Sequence, residues 1–147
     1  MDITLKIGTR SETVQVPEAN LQGILTPNEV SVALTGEAEV RRALNEPIGT
    51  PRLRDIVHPG EKIAIITSDI TRPMPTWKVM PALLDELYDA GVKREDITLV
   101  FALGSHRCHT EEEQRHLAGD RAWSEITCVD GNTADCGGGP PHLPRQY

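Results

Sequence analysis

An α/β fold with a βαβαβ parallel sheet is what this 147-residue chain predicts, on three observations. Aromatic residues make up only 3% of it, so the core must be aliphatic. That suits a Val/Ile/Leu sheet under helices better than an aromatic-rich sandwich. Two nearly continuous apolar stretches, KIAIIT (Lys62–Thr67) and DITLVFALG (Asp96–Gly104), read as buried parallel-type strands. Between them runs an apolar stripe at helical spacing, as a right-handed crossover requires.

The elements follow in order. At the N-terminus, Ile3, Leu5 and Ile7 alternate with polar residues, and Val14 and Val16 follow beyond GTRSE, read as a short turn. Alternation on both sides of a turn predicts an antiparallel hairpin, placed as a flap or edge on the main sheet. Residues 17–26 are linker-like. A helix is expected from Thr26 as cap and Pro27 at its first position, with Gly36 breaking it and Glu37–Leu44 as a second piece. Residues 45–62 read as loop, short helix and turn.

After the first central strand, Trp77, Met80, Leu83, Leu84, Leu87 and Tyr88 recur every three or four residues, the core face of a helix that Gly91 stops. Pro81 near its start removes one backbone donor and is expected to kink it slightly. Beyond the second strand, Thr110 and Glu113 fit a capping box, with Glu111 and Glu112 at the positive end of a helix. WSEITCVD then supplies a third strand. The result is a Rossmann-like βαβαβ parallel sheet behind an N-terminal β-hairpin, over residues 1–130. From Gly131 the chain turns Gly/Pro-rich and loses periodicity, so residues 131–147 are expected to be a disordered tail or a frameshift product.

Composition excludes several classes. A balance of 15 basic against 22 acidic residues, net −7, with no basic stripe, argues against nucleic acid. No apolar run approaches the roughly 20 residues that span a bilayer, and the N-terminus lacks the pattern of a signal peptide. The expectation is a cytoplasmic protein without membrane partners. Cys108, Cys128 and Cys136 are odd in number and irregularly spaced, which argues against a disulfide framework. With His106 and His109 they make no recognised zinc spacing, so no metal site is expected.

In an open parallel sheet, ligands sit outside the carboxyl ends of the strands. The loops there are Ser68-Asp69-Ile70-Thr71-Arg72-Pro73 and Gly104-Ser105-His106-Arg107, which brings Asp69, Thr71, Arg72, His106 and Arg107 to one rim. Arg72 and Arg107 can fork onto a carboxylate or phosphate, and Ser68 and Thr71 can add hydroxyls. His106 carries an imidazole, which can move a proton. The same residues also suit plain capping, with Arg72 pairing to Asp69 or Asp85 and His106 a structural hydrogen-bonder. Both readings stand at this point.

Three stretches carry a resemblance: SDITRPMP (Ser68–Pro75), ALGSHRCHTEEE (Ala102–Glu113) and NEPIGTPRLRDIV (Asn45–Val57). Together, in this order and spacing, they resemble the N-terminal domain of the nickel-dependent lactate racemase family over roughly residues 1–130. The resemblance implies a second domain across a cleft and a nickel pincer nucleotide that takes a hydride from the Cα of a 2-hydroxy acid. It makes His106 the catalytic acid/base on the substrate hydroxyl. It turns Arg72 to the substrate or cofactor, with Arg72 taken as substrate-binding, and lines the cofactor side with Asp69 and Thr71, to which the anion-binding reading adds Ser68 and Arg107.

The family's second catalytic histidine, cofactor-bound lysine and nickel-ligating histidine fall beyond the resemblance, and His142 lacks a matching context. The chain alone is therefore expected not to racemise lactate, its partner being a C-terminal domain or a second copy. The alternatives are a stand-alone phosphate- or nucleotide-binding module and an inactive remnant.

Overall fold

The structure, a computed structural model, describes residues 1–131, so the expectation for the tail beyond Gly131 lies outside the described residues. The chain divides into two compact units, Met1–Val32 and a second beginning at Ala33.

In the first unit, strands β1 (Asp2–Ile7) and β2 (Arg10–Gln15) pair antiparallel from Asp2↔Gln15 to Ile7↔Arg10. Only Gly8 and Thr9 form the turn, so Arg10, Ser11 and Glu12 of the expected loop join the strand. Two-residue turns match the twist of the paired strands, which favours the shorter loop. The open end is tied by the Val16 amide on the Met1 carbonyl, 2.9 Å. The hairpin is a two-stranded sheet of its own and does not extend the main one.

The helix expected from Thr26 does not form, and the chain has no helix between Asn20 and Gly36. Leu25 is 100% exposed and Val30 79%, so no apolar face is buried there. Without such a face a short helix is not stable in water. Helix α1 is instead Gly36–Asn45, begun rather than broken by Gly36. It packs on helix α3 (Thr76–Asp89), where Arg41 reaches Asp85 at 2.7 Å. The short helix α2 (Leu53–Ile56) is held to α3 by Arg52 and Arg54, which both grip the buried carboxylate of Glu86.

The main sheet has three parallel strands, β3 (Ile63–Ser68), β4 (Ile97–Ala102) and β5 (Thr127–Asp130), in the order β3-β4-β5. Its register aligns Ile65, Leu99 and Cys128 on one face, then Thr67, Phe101 and Asp130 above them. This face is covered by α3, α4 (Glu111–Ala118) and α5 (Asp120–Glu125), and Leu84, Leu87, Ile97, Leu99, Phe101 and Ile126 form the centre of the core. On the opposite face Ile66 of β3 is 72% exposed. The second crossover is two helices rather than one, because Gly119 breaks it at φ 81°, ψ 155°. The capping box at Thr110 and Glu113 forms as expected.

Trp77 departs from the expectation that it is core: it is 48% exposed, while Met80, Leu84 and Leu87 are buried. It sits on the first turn of α3, where Gly119 abuts its backbone. Cys128 is a buried free thiol. Among the described residues, no helix is long and apolar enough to cross a membrane.

Candidate active site

Parallel register puts the carboxyl ends of β3, β4 and β5 at one rim. The loop leaving β3 is stapled at its base. Thr67 and Thr76 share a buried hydroxyl hydrogen bond of 2.5 Å, and the Ser68 hydroxyl accepts the Met74 amide at 2.8 Å. These bonds join the strand end to the first turn of α3, so the intervening residues leave and return at fixed points. The two prolines, Pro73 and Pro75, restrict the return further.

Inside this loop, Asp69 is buried although it is charged. Its Oδ2 makes a short bond to His106 Nδ1, and its Oδ1 accepts the Thr71 hydroxyl at 2.8 Å. Thr71 Oγ1 also lies 3.2 Å from His106 Nδ1. Burial raises the Asp69 carboxyl, but hydrogen bonds from His106 and Thr71 outweigh it and hold the group at about 2. A carboxylate facing Nδ1 makes that nitrogen the donor. Nε2 of the neutral ring is then the acceptor, with no hydrogen-bond partner among the described residues. The His106 side chain is 40% exposed, so Nε2 is open to a ligand. An oriented imidazole with a free basic nitrogen is the equipment of a general acid/base.

A second histidine ties the same loops from beneath. His109 Nε2 accepts the Ile70 amide at 3.0 Å, its Nδ1 lies 2.6 Å from Asp130 Oδ1, and its own amide reaches Asp130 Oδ2 at 2.9 Å. Its ring meets Phe101 edge-on at 5.4 Å. The sequence reading had weighed His109 only as a soft metal ligand and missed this link. Asp130 was the available signal, an acid at the end of a parallel strand, on the rim where the other polar loops converge.

Asp69, Thr71 and His106 are thus brought into direct contact. Ser68 stays at the loop base, engaged with Met74. Arg107 turns to Glu113, which it grips through both terminal nitrogens at 2.8 and 2.7 Å. Arg72 is exposed and makes no ion pair among the described residues; Asp69 is taken by His106 and Asp85 by Arg41 and Arg121, which removes the two partners that plain capping offered it. No three His, Cys, Asp or Glu side chains are arranged to hold a metal among the described residues. A groove of about 710 Å³ between α3 and the α4–α5 pair, lined by Trp77, Pro81, His116 and Arg121 among others, shares no residue with the rim.

Comparison with known proteins places these loops in context. The sequence profile of the lactate racemase N-terminal domain matches residues 7–137. The lactate racemase of Thermoanaerobacterium thermosaccharolyticum is 36% identical over 121 residues, covering 81% of this chain and 28% of that protein. The lactate racemase of Lactiplantibacillus plantarum is 32% identical over 113 residues, covering 76% and 26%. The structure of the lactate racemase apoprotein from T. thermosaccharolyticum matches with a TM-score of 0.71 at 34% identity, over 88% of this chain and 30% of that one. The chain spans less than a third of the length of these relatives. By its profile, its relatives and its fold, the chain belongs to the lactate racemase N-terminal domain family.

Proposed function

We propose that this chain forms one side of a 2-hydroxy acid isomerase site of the lactate racemase type, with His106 as its acid/base. The observation that carries the reading is the Asp69–His106 pair, which leaves Nε2 basic and open at the strand ends. Inverting a 2-hydroxy acid through its ketone would need the Cα hydride to leave to a bound hydride acceptor, the chemistry the nickel pincer nucleotide would supply, and to come back to the opposite face. This chain's own share is the hydroxyl proton, lost as the ketone forms and regained on return. Nε2 of His106 takes or gives that proton on its own side of the site, while Asp69 holds the ring and stabilises the imidazolium that forms. Arg72 is the cation for the substrate carboxylate, since a guanidinium fork matches two oxygens. Thr71 holds Asp69 in place, and Ser68 and Arg107 secure the loops around it.

The nickel pincer nucleotide that the resemblance implies finds no metal donor set among the described residues, so no step is drawn through it. Inverting a planar centre needs proton transfer at both faces. His109 has both ring nitrogens engaged, His58 precedes β3 at the far end of the sheet, and His116 lines the separate groove. Among the described residues one acid/base therefore serves one face, and on this reading residues 1–131 by themselves do not turn lactate over. Its setting in this reading is cytoplasmic, with a small 2-hydroxy acid as ligand and a C-terminal domain or second copy as complement.

A chimera tests the reading. Residues 7–131 replace the matched segment of the T. thermosaccharolyticum racemase, and interconversion of D- and L-lactate is followed. The chimera should be active, and His106→Ala should lower kcat by roughly 10²–10⁴-fold. A folded, active chimera that keeps its rate after His106→Ala would refute the assignment. Phosphate binding that needs Arg72 but ignores His106 would favour a binding module instead.

A further inference from the structure

We propose that His109 is a positioning residue of this site, a neutral imidazole latch that fixes the Ile70 amide and, through it, Asp69. The inference rests on the acid/base reading of His106, and its test reads geometry rather than turnover.

The partners of His109 dictate its state. The Ile70 amide can only donate, so Nε2 must carry a lone pair. Asp130 as a carboxylate accepts, so Nδ1 must carry the proton. One tautomer of the neutral ring satisfies both. The His109 side chain is 1% exposed and Asp130 5%, so water replaces neither bond. Asp130 also accepts the His109 backbone amide and thereby holds both the ring and its main chain.

The leverage comes from where the latch grips. Ile70 lies between Asp69 and Thr71, the two residues that touch His106 Nδ1. Rotation of the Asp69–Ile70 peptide would swing both acceptors off the ring. His109 blocks it by bonding that very amide, with its own anchor on β5. The ends of all three strands are thereby stitched: Asp130 of β5 holds His109 after β4, and His109 holds the loop after β3. The rival role is packing alone, the ring serving as an edge against Phe101.

Two substitutions separate these roles. Gln places its carbonyl oxygen near the position of Nε2, whereas Asn places its amide near Nδ1 and falls short of Ile70. In the intact chain, with uniformly ¹⁵N-labelled histidine, the His106 Nδ1–H bound to Asp69 should give a far-downfield proton signal. His109→Gln should keep that signal and His109→Asn should lose it, with both variants still melting cooperatively. In the unsubstituted chain the Ile70 amide should exchange with solvent at least tenfold more slowly than in an unstructured peptide, as a buried hydrogen bond demands.

In the racemase chimera, His109→Asn should lower kcat and leave KM nearly unchanged. Retention of the His106 signal in His109→Asn, its equal loss in both variants, or unprotected exchange at Ile70 each overturns the proposal. The exchange measurement needs no variant to fold, and an inactive chimera would count against the racemase reading while leaving the latch to be judged by NMR.

Discussion

Gly119→Ala is the substitution that most directly tests how the sheet's third strand is delivered to the rim. A Cβ at this position would lie 2.8 Å from Trp77 Cβ and 3.1 Å from Trp77 Cα. The second contact is backbone, so a side-chain rotation cannot relieve it. Gly119 also sits at φ 81°, ψ 155°, a region open essentially to glycine alone, where an L-residue costs about 1–3 kcal/mol. Overpacking against a fixed helix adds about 1–3 kcal/mol. The expected loss is the sum, about 2–6 kcal/mol, set against a typical total of roughly 5–15 kcal/mol.

Gly60→Ala supplies the control. Its φ of 89° carries a backbone cost, but nothing lies within 4 Å of the added Cβ. Only about 1–2 kcal/mol should be lost there. With a urea slope near 2 kcal/mol/M, Gly119→Ala should move the midpoint down by about 1–3 M and Gly60→Ala by less than about 1 M. Equal midpoints for the two variants would show that Trp77 does not crowd Gly119, and the account of the helix break would fail.

Two further predictions concern titration and thiol chemistry. Asp69 and Glu86 both sit at about 2, below their ordinary 3.8 and 4.5, Glu86 because the Arg54 and Arg52 hydrogen bonds outweigh burial. Depressed native values mean that this stability is fully present above about pH 4.5 and lost as pH falls toward 2. Arg54→Ala should therefore raise the acid-unfolding midpoint measured by near-ultraviolet circular dichroism, and an unchanged midpoint would refute the pairing. Burial pushes the Cys128 thiol up to about 12, so iodoacetamide should leave it unmodified in the native chain and label it in urea; rapid native labelling would show that the core is open.

What the sequence revealed, it revealed through periodicity. The stripe from Met80 to Leu87 and the apolar run Ile97–Phe101 each demand one buried face, and the capping box at Thr110 names its own partners. The helix expected from Thr26 failed because cap and Pro signals describe how a helix begins, whereas Leu25 and Val30 have no surface to bury against. Trp77 was misplaced for a related reason: its spacing puts it on the core stripe, but Gly119 packs against the Trp77 backbone and the side chain is left 48% exposed. The rim was foreseen because parallel strands order their own ends. The pairings were not, since Asp69 with His106 spans 37 positions and His109 with Asp130 spans 21, and no local rule carries a contact that far.

The two rim histidines show how one side-chain type is given opposite duties by counting partners. Each has a carboxylate at Nδ1, so each is held in the tautomer that leaves Nε2 basic. For His109 that nitrogen is spent on the Ile70 amide inside the protein, and the ring becomes a strut. For His106 it is spent on nothing among the described residues, in a side chain 40% exposed. A base whose lone pair is already bonded must break that bond before it can take a proton, and burial denies it water as a replacement. His106 faces no such cost. On the proposed reading the chemistry at this rim belongs to the histidine with the unfinished set of bonds, and the finished set next to it is what holds it still.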